Sequence, residues 1–153
     1  MKLNLGCGEK YKKGFLNVDK YSHADLNVDL NVDKWDWWED NLFDEIHMEH
    51  LLEHLDNPYE KIMECYRILK PNGLLIVRLP SDNYGICHKR GRHTRDYMWA
   101  LTQGNKLQNG ECKELFDVKV KGHRKSLRFY LINRLWNFLN LFVTEWEFKM
   151  VKK

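Results

Sequence analysis

The sequence predicts an α/β protein with a largely parallel sheet, and three observations carry that prediction. Leu3-Asn4-Leu5, Leu16-Asn17-Val18 and Leu26-Asn27-Val28 each alternate apolar, Asn, apolar, the period-two signature of a strand with one buried face. A clearly punctuated helix occupies the middle of the chain. Directly behind its stop signal, Leu74-Leu75-Ile76-Val77 is a continuous apolar run, which is how a central strand buried on both faces reads. Strands alternating with helices are the pattern of a mostly parallel sheet.

Taken in order, the first strand ends at Leu5, and acids end the second (Asp19) and the third (Asp29). Asn-Val-Asp repeats across residues 27–33, so Asp29 or Asp33 can close the third strand; the spacing from Asp19 favours Asp29. Glu9 to Phe15 and Lys20 to Asp25 link these strands. Both links are too short for the usual crossover helix of a parallel pair. The face carrying Asn4, Asn17 and Asn27 is therefore expected to lack covering helices and to meet water, a symmetric partner or the Trp35–Trp38 loop. Phe43 to Met48 reads as a fourth strand. Asn57 and Pro58 open a helix with Glu60 at the third position. Ile62, Tyr66 and Leu69 share its face, and Lys70-Pro71-Asn72-Gly73 stops it. Residues 81–93 and 105–113 read as loops, with a short helix from Thr94 to near Gly104. Leu115 to Val120 alternates as a strand, Leu127 to Leu141 is an amphipathic helix, and Trp146, Phe148 and Met150 mark a closing strand.

With 153 residues, the chain is read as a single domain over 1–153. Hydrophobic residues at 43% and charged residues at 31% are ordinary globular values. No apolar run approaches a membrane span, and MKLNLGCG lacks the apolar core of a signal peptide. Cys7, Cys65, Cys87 and Cys112 form no CxxC pair and are read as reduced thiols of a cytoplasmic protein. Charge is unevenly distributed. Residues 1–80 hold 10 Lys/Arg and 15 Asp/Glu, a net of −5, whereas 81–153 hold 15 and 7, a net of +8. The basic half suggests an anionic partner, small or polymeric, with nucleic acid among the acceptors it admits; a solvated surface is the plain alternative.

Leu5-Gly6-Cys7-Gly8 places a Gly-x-Gly turn directly after the first strand, where the backbone can approach a ligand that a Cβ would collide with. Asp19, Asp29 and the polar segment after the fourth strand fall at the same carboxyl edge, where open parallel sheets bind ligands. A carboxylate at Asp19 can accept two ribose hydroxyls, and one at Asp29 an adenine amine. LNLGCG, GFLNVD, FDEIHMEHLLEHL and RILKPNGLLIVRLP together resemble the successive motifs of the class I S-adenosylmethionine-dependent methyltransferases, of the small type that begins LNLGCG. The resemblance covers residues 2–80 and implies a Rossmann-like fold, here reduced by helix-poor crossovers after the first two strands. It divides the chain into a cofactor-binding half, 1–80, and a basic, substrate-facing half, 81–153.

In that family the glycine turn cradles the methionine part of the cofactor, implying Gly6, Cys7 and Gly8. Ribose falls to Asp19 with Lys20 flanking adenine, and adenine to Asp29 and the Leu30 backbone. Glu49 and His50 then line the methionine end. Asn4 stands where the family's usual acid precedes the turn, and Lys10 where a third glycine is usual. S-adenosylhomocysteine is the implied product and no metal is expected. An activated sulfonium methyl needs mainly positioning and desolvation, and a base only if the acceptor must lose a proton.

Other patterns compete. His50-Leu51-Leu52-Glu53-His54 matches a zinc-peptidase motif, although it lies inside the methyltransferase-like stretch. Cys87, His88, His93 and Cys112 fit no trusted metal spacing. Trp35, Trp37 and Trp38 either stack on a base or sugar or cover the core edge. His50, His88 and His93 are the candidate catalytic groups, and Arg90, Arg92 and Arg95 the candidate acceptor contacts. A second basic group comprises Lys119, Lys121, His123, Arg124, Lys125 and Arg128. An enzyme on an anionic acceptor leads; a cofactor-binding sensor or assembly partner without turnover is the alternative. An isologous homodimer through the Asn face is one assembly this arrangement admits, two-fold dimers being the commonest.

Overall fold

The computed structural model describes residues 1–21, 23–80, 112–124 and 143–153. Among these residues, seven strands form one sheet in the order β3-β2-β1-β4-β5-β7-β6. They are β1 (Lys2–Leu5), β2 (Leu16–Asp19), β3 (Leu26–Asn27), β4 (Phe43–Glu49), β5 (Leu69–Pro80), β6 (Phe116–Arg124) and β7 (Val143–Lys152). The first five pair in parallel, and β7 runs antiparallel between β5 and β6. A 3-10 turn (Leu52–His54) and helix α1 (Pro58–Ile68) join β4 to β5, and one helical turn, α2 (Cys112–Leu115), leads into β6. The expected helices near Thr94 and over Leu127–Leu141 lie outside the described residues.

Register divides the sheet into two unlike faces. Leu3, Leu5, Val18, Ile46, Met48, Leu75, Val77, Leu79, Phe148 and Met150 alternate onto one face and are buried there with Ile62, Cys65 and Ile68 of α1. Asn4 stands opposite Asn17, and Asp19 opposite Asn27, so all three asparagines share the other face, as their period requires. The short links hold no helix among the described residues.

The Asn face is nevertheless not bare, and what covers it differs from the expectation. Asn4 and Asn17 are 2% and 0% exposed, under residues 10–15. Asn17 Oδ1 accepts from Asn4 Nδ2 at 2.8 Å and from the Lys12 amide at 2.8 Å. Its Nδ2 lies within reach of Lys12 O, Phe15 O and Asp25 Oδ2. A polar network thus satisfies the sheet where a helix would ordinarily pack. The Trp loop is on the opposite side. Trp35 packs edge-to-face on Trp38, and Trp38 on Phe43, each at 5.6 Å; both tryptophans are buried, and Trp37 of the same loop is exposed. A dimer through Asn4 and Asn17 would first have to displace the loop that buries them.

The stop signal also acts differently from its sequence reading. The helix does end before it, at Ile68, but Leu69 already pairs with Phe43 as the start of β5. Register then jumps to Glu45 opposite Leu74, leaving Lys70–Gly73 as a bulge. A Cβ on Gly73 would stand 2.7 Å from Leu69 Cγ and 2.8 Å from the Lys70 carbonyl, so this bulge admits only glycine. Asn57 makes no side-chain cap bond, and Pro58 opens the helix at its first position.

Candidate active site at the carboxyl edge

At the end of β1, Gly6 and Gly8 take φ of +63° and +49°. A Cβ on Gly6 would meet Leu51 at 2.9 Å, whereas one on Gly8 would face open space. Gly6 is thus fixed by its own protein, and Gly8 turns its bare side to solvent. The Cys7 amide donates to Val18 O at 3.0 Å, and the Gly8 amide to Asp19 Oδ2 at 2.9 Å. Asp19 Oδ1 accepts from the Tyr21 amide at 2.8 Å. One carboxylate therefore locks the glycine turn to the end of β2.

Gly8 and Asp19 line a cleft of about 510 Å³ together with Glu9, Tyr11, Tyr21 and His23. These last four were missed from the sequence. Their proximity along the chain to Gly8 and Asp19 was the available signal. Asp29 and Lys20 form an ion pair at 2.5 Å, and the Asn31 amide donates to Asp29 Oδ1 at 3.0 Å. Lys20, with the Asn31 amide, holds the Asp29 carboxyl below its ordinary range. Leu30 is buried, and its carbonyl accepts from Trp35 Nε1 at 3.2 Å.

At the end of β4, Glu49 Oε1 lies 2.5 Å from Lys12 Nζ and 3.4 Å from Arg78 Nη1, with Lys10 Nζ 3.8 Å from Oε2. Burial pushes the Glu49 carboxyl up, but Lys12, Arg78 and Lys10 outweigh it and hold it below the usual range. Arg78 also grips the buried Glu147 at 2.6 Å. His50 follows with φ of +53°. Its Nε2 lies 2.7 Å from Glu145 Oε1 and its Nδ1 3.5 Å from Glu53 Oε1. Glu53, opposed by burial and joined by Glu145, raises its pKa. Both ring nitrogens thus face carboxylates, an arrangement for a charged clip between β4 and β7 rather than a waiting base.

The zinc reading fails on geometry. Residues 52–54 form a 3-10 turn rather than an α-helix, so His50 and His54 lack the four-residue helical spacing that would align them. No cluster of three or more potential metal-ligating residues occurs among the described residues. His88, His93, Arg90, Arg92, Arg95 and Cys87 lie outside the described residues, as does the side chain of Cys112.

This edge brings together a glycine turn, a carboxylate at its amide and a second acid on the neighbouring strand, in strand order 3-2-1-4-5-7-6. Residues 3–77 match the family profile described as a methyltransferase domain. This stretch is a methyltransferase domain, and the sheet has the Rossmann-like fold of the class I S-adenosylmethionine-dependent methyltransferases. Solved structures similar to this methyltransferase agree in fold. An S-adenosylmethionine-dependent methyltransferase from Archaeoglobus fulgidus superposes with a TM-score of 0.69 at 15% identity, over 99% of this chain and 85% of its own. One from Thermotoga maritima gives 0.58 at 18%, over 99% and 82%. A Haloferax volcanii protein solved in complex with the Trm112 methyltransferase activator gives 0.58 at 14%, over 99% and 81%. No curated protein matches the methyltransferase by sequence. No described helix is long and apolar enough to cross a membrane.

The residues present suit the family's cofactor. Gly8 leaves the space a Cβ would fill, and Asp19 offers a carboxylate at that opening. The bound cofactor supplies an activated methyl. What the chain must add is a fixed turn, an ordered hydroxyl acceptor and a dry approach for the nucleophile.

Proposed function

We propose that this methyltransferase holds its cofactor with Asn4, Gly6, Cys7, Gly8, Asp19, Lys20, Asp29, Leu30, Glu49 and His50 and transfers the methyl to an anionic acceptor. The observation that carries the cofactor half is the 2.9 Å bond from the Gly8 amide to Asp19 Oδ2, which puts turn and acid at one corner of the cleft. Asp19 accepts the ribose hydroxyls. The Lys20–Asp29 pair borders adenine, with Lys20 moving aside so that Asp29 can accept the exocyclic amine. Asn4 serves indirectly: its Nδ2 donates to Asn17 Oδ1 and to Lys10 O at 3.1 Å, tying the strand before the turn to the chain after it.

No proton acceptor is required for an acceptor that is already a nucleophile at neutral pH, and His50, clipped between Glu53 and Glu145, fits that reading. The anionic acceptor rests on the +8 balance of residues 81–153, with Arg90, Arg92 and Arg95 in contact with it. Titration calorimetry with S-adenosylhomocysteine, paired with turnover against phosphate-bearing and neutral acceptors, tests both halves. Asp19→Ala is expected to weaken product binding by about 1.5–3 kcal/mol, the cost of charge-assisted hydrogen bonds. An unchanged affinity removes Asp19 from the site. Binding without turnover on any acceptor would favour the sensor or assembly-partner reading.

A further inference from the structure

The polar face extends beyond the asparagines across the sheet. Through register, Asn4, His47, Ile76, Lys149 and Lys119 form one row, and Glu49, Arg78, Glu147 and Lys121 the next. The acids in these rows have partners of their own: Glu49 has Lys12, and Glu147 has Arg78. At the flanks, Glu45 is held by Lys2 and Asp117 by Lys153. The cations are in excess. Lys119 and Lys121 are exposed and have no ion-pair partner among the described residues, and Lys119 stands directly opposite the exposed Lys149, which pairs with Glu147 Oε1 at 3.7 Å. Like charges directly opposite across two strands are destabilising. Lysines on the edge strand β6 guard against edge pairing, but that purpose does not account for Lys149 on the interior strand β7.

The other side of the same face carries an aromatic platform. Phe15 meets His47 edge-on at 4.8 Å, with the Lys2 and Lys12 ammoniums 5.4 and 5.8 Å from its ring centre. Burial lowers the His47 pKa against Glu45, with Lys12 adding to the lowering. Lys119 on β6 and the β1 position beneath Phe15 are four strand spacings apart, about 19 Å. A single phosphate cannot bridge that distance, whereas a chain with repeated phosphates and exposed bases can. Cations tracking a backbone, with aromatic rings for bases, are the features that bind single-stranded nucleic acid.

We propose that the polar face of the sheet binds a single-stranded nucleic acid, with Lys119, Lys121 and Lys149 on its phosphates and Phe15 beneath a base. This rests on the anionic-acceptor reading and names the acceptor's class. The second row runs from Lys121 to Glu49 at the end of β4, so a strand laid along it delivers its next nucleotides to the candidate active site.

Fluorescence anisotropy with a labelled oligouridylate of about 12 nucleotides tests this over a range of salt. Each lysine–phosphate contact adds about 0.7 to the salt slope of single-strand binding. The K119E/K121E/K149E variant is therefore expected to bind roughly tenfold or more weakly at low salt and to lose about 2 from the slope. K119Q/K121Q/K149Q, which adds no charge of the opposite sign, should show the same slope change with a smaller loss of affinity. Both should keep the wild-type thermal shift with S-adenosylhomocysteine, which also reports that they fold. No binding of the oligonucleotide, or equal binding by the wild type and the glutamine variant, overturns the proposal. Equal affinity for a duplex of the same length overturns the single-strand assignment. Loss of binding in R90E/R92E/R95E with none in the lysine variants overturns this face while leaving an anionic acceptor in place.

Discussion

The two faces of this one sheet solve the same problem by different means. On the face packed against α1, burial is apolar and continuous, and even its cations serve it. Lys152 Nζ donates to Tyr66 O and Leu69 O at 2.8 and 2.7 Å, finishing the carbonyls at the end of α1, while Lys61 Nζ donates to Val32 O under the Trp loop. On the opposite face β1 and β2 bury asparagines, and the short β1–β2 connection satisfies them with backbone groups. The first face stabilises through area removed from water. The second gains little net from each hydrogen bond but loses much if one partner is removed. Substituting one residue on each face measures that difference.

The largest effect is expected at Trp35. It is fully buried, donates from Nε1 to Leu30 O, and its carbonyl accepts from Arg67 Nη2 at 3.0 Å. Trp35→Ala should cost about 3–5 kcal/mol in denaturant unfolding, through lost burial plus the cavity left behind. A cost below that of an ordinary exposed substitution would show that the Trp loop is not part of the core.

A smaller cost, about 1–3 kcal/mol, is expected for Asn17→Ala. The substitution takes one partner from the Lys12 amide and the Phe15 carbonyl of the covering loop, and one from Asp25 Oδ2. Because Lys12 reaches Glu49 from this loop, affinity for S-adenosylhomocysteine should fall in Asn17→Ala more than in Trp35→Ala variants compared at conditions where both are folded. Equal binding in the two would mean that the connection does not position the site.

What the sequence disclosed about these faces follows the same division. Period-two alternation told which side Leu3, Leu5, Asn4 and Asn17 take, because side-chain direction along a strand is a local property. The helix from Pro58, the apolar run at Leu74 and the glycine turn were legible for the same reason. What covers each face was not legible. Whether Trp35 lies over the apolar or the Asn side depends on the path of the chain between β3 and β4, and periodicity carries no record of that path. The partners at the site are equally remote in sequence: Lys12 and Glu49 are brought together by the pairing of β1 with β4, and His50 and Glu145 by the order of β5 and β7. Chain neighbours of Gly8 and Asp19, such as Tyr11 and Tyr21, could have been inferred; Glu145 could not.

The smallest expected effect concerns the clip that joins the parallel half of the sheet to β7. His50 stands at the end of β4 with its amide donating to Arg78 O at 2.9 Å and its ring between Glu53 and Glu145. Its pKa is raised, by Glu53 first and then by Glu145, against the opposing effect of burial. A group with a raised folded pKa contributes stability fully below its unfolded value, about 6.5 for histidine, and that contribution is lost as pH rises through the higher folded value. The methyltransferase should therefore lose thermal stability above neutral pH by a term that His50→Asn lacks, asparagine being the substitution that tolerates the left-handed φ of +53°. Because the ring is partly open to water, the term is expected to be no more than about 1 kcal/mol. Melting curves of both proteins from slightly acidic to mildly alkaline pH measure it. Convergence of the two curves as pH rises supports the clip. A constant offset at every pH would mean that His50 acts there by shape alone, and that the charge between β4 and β7 holds nothing.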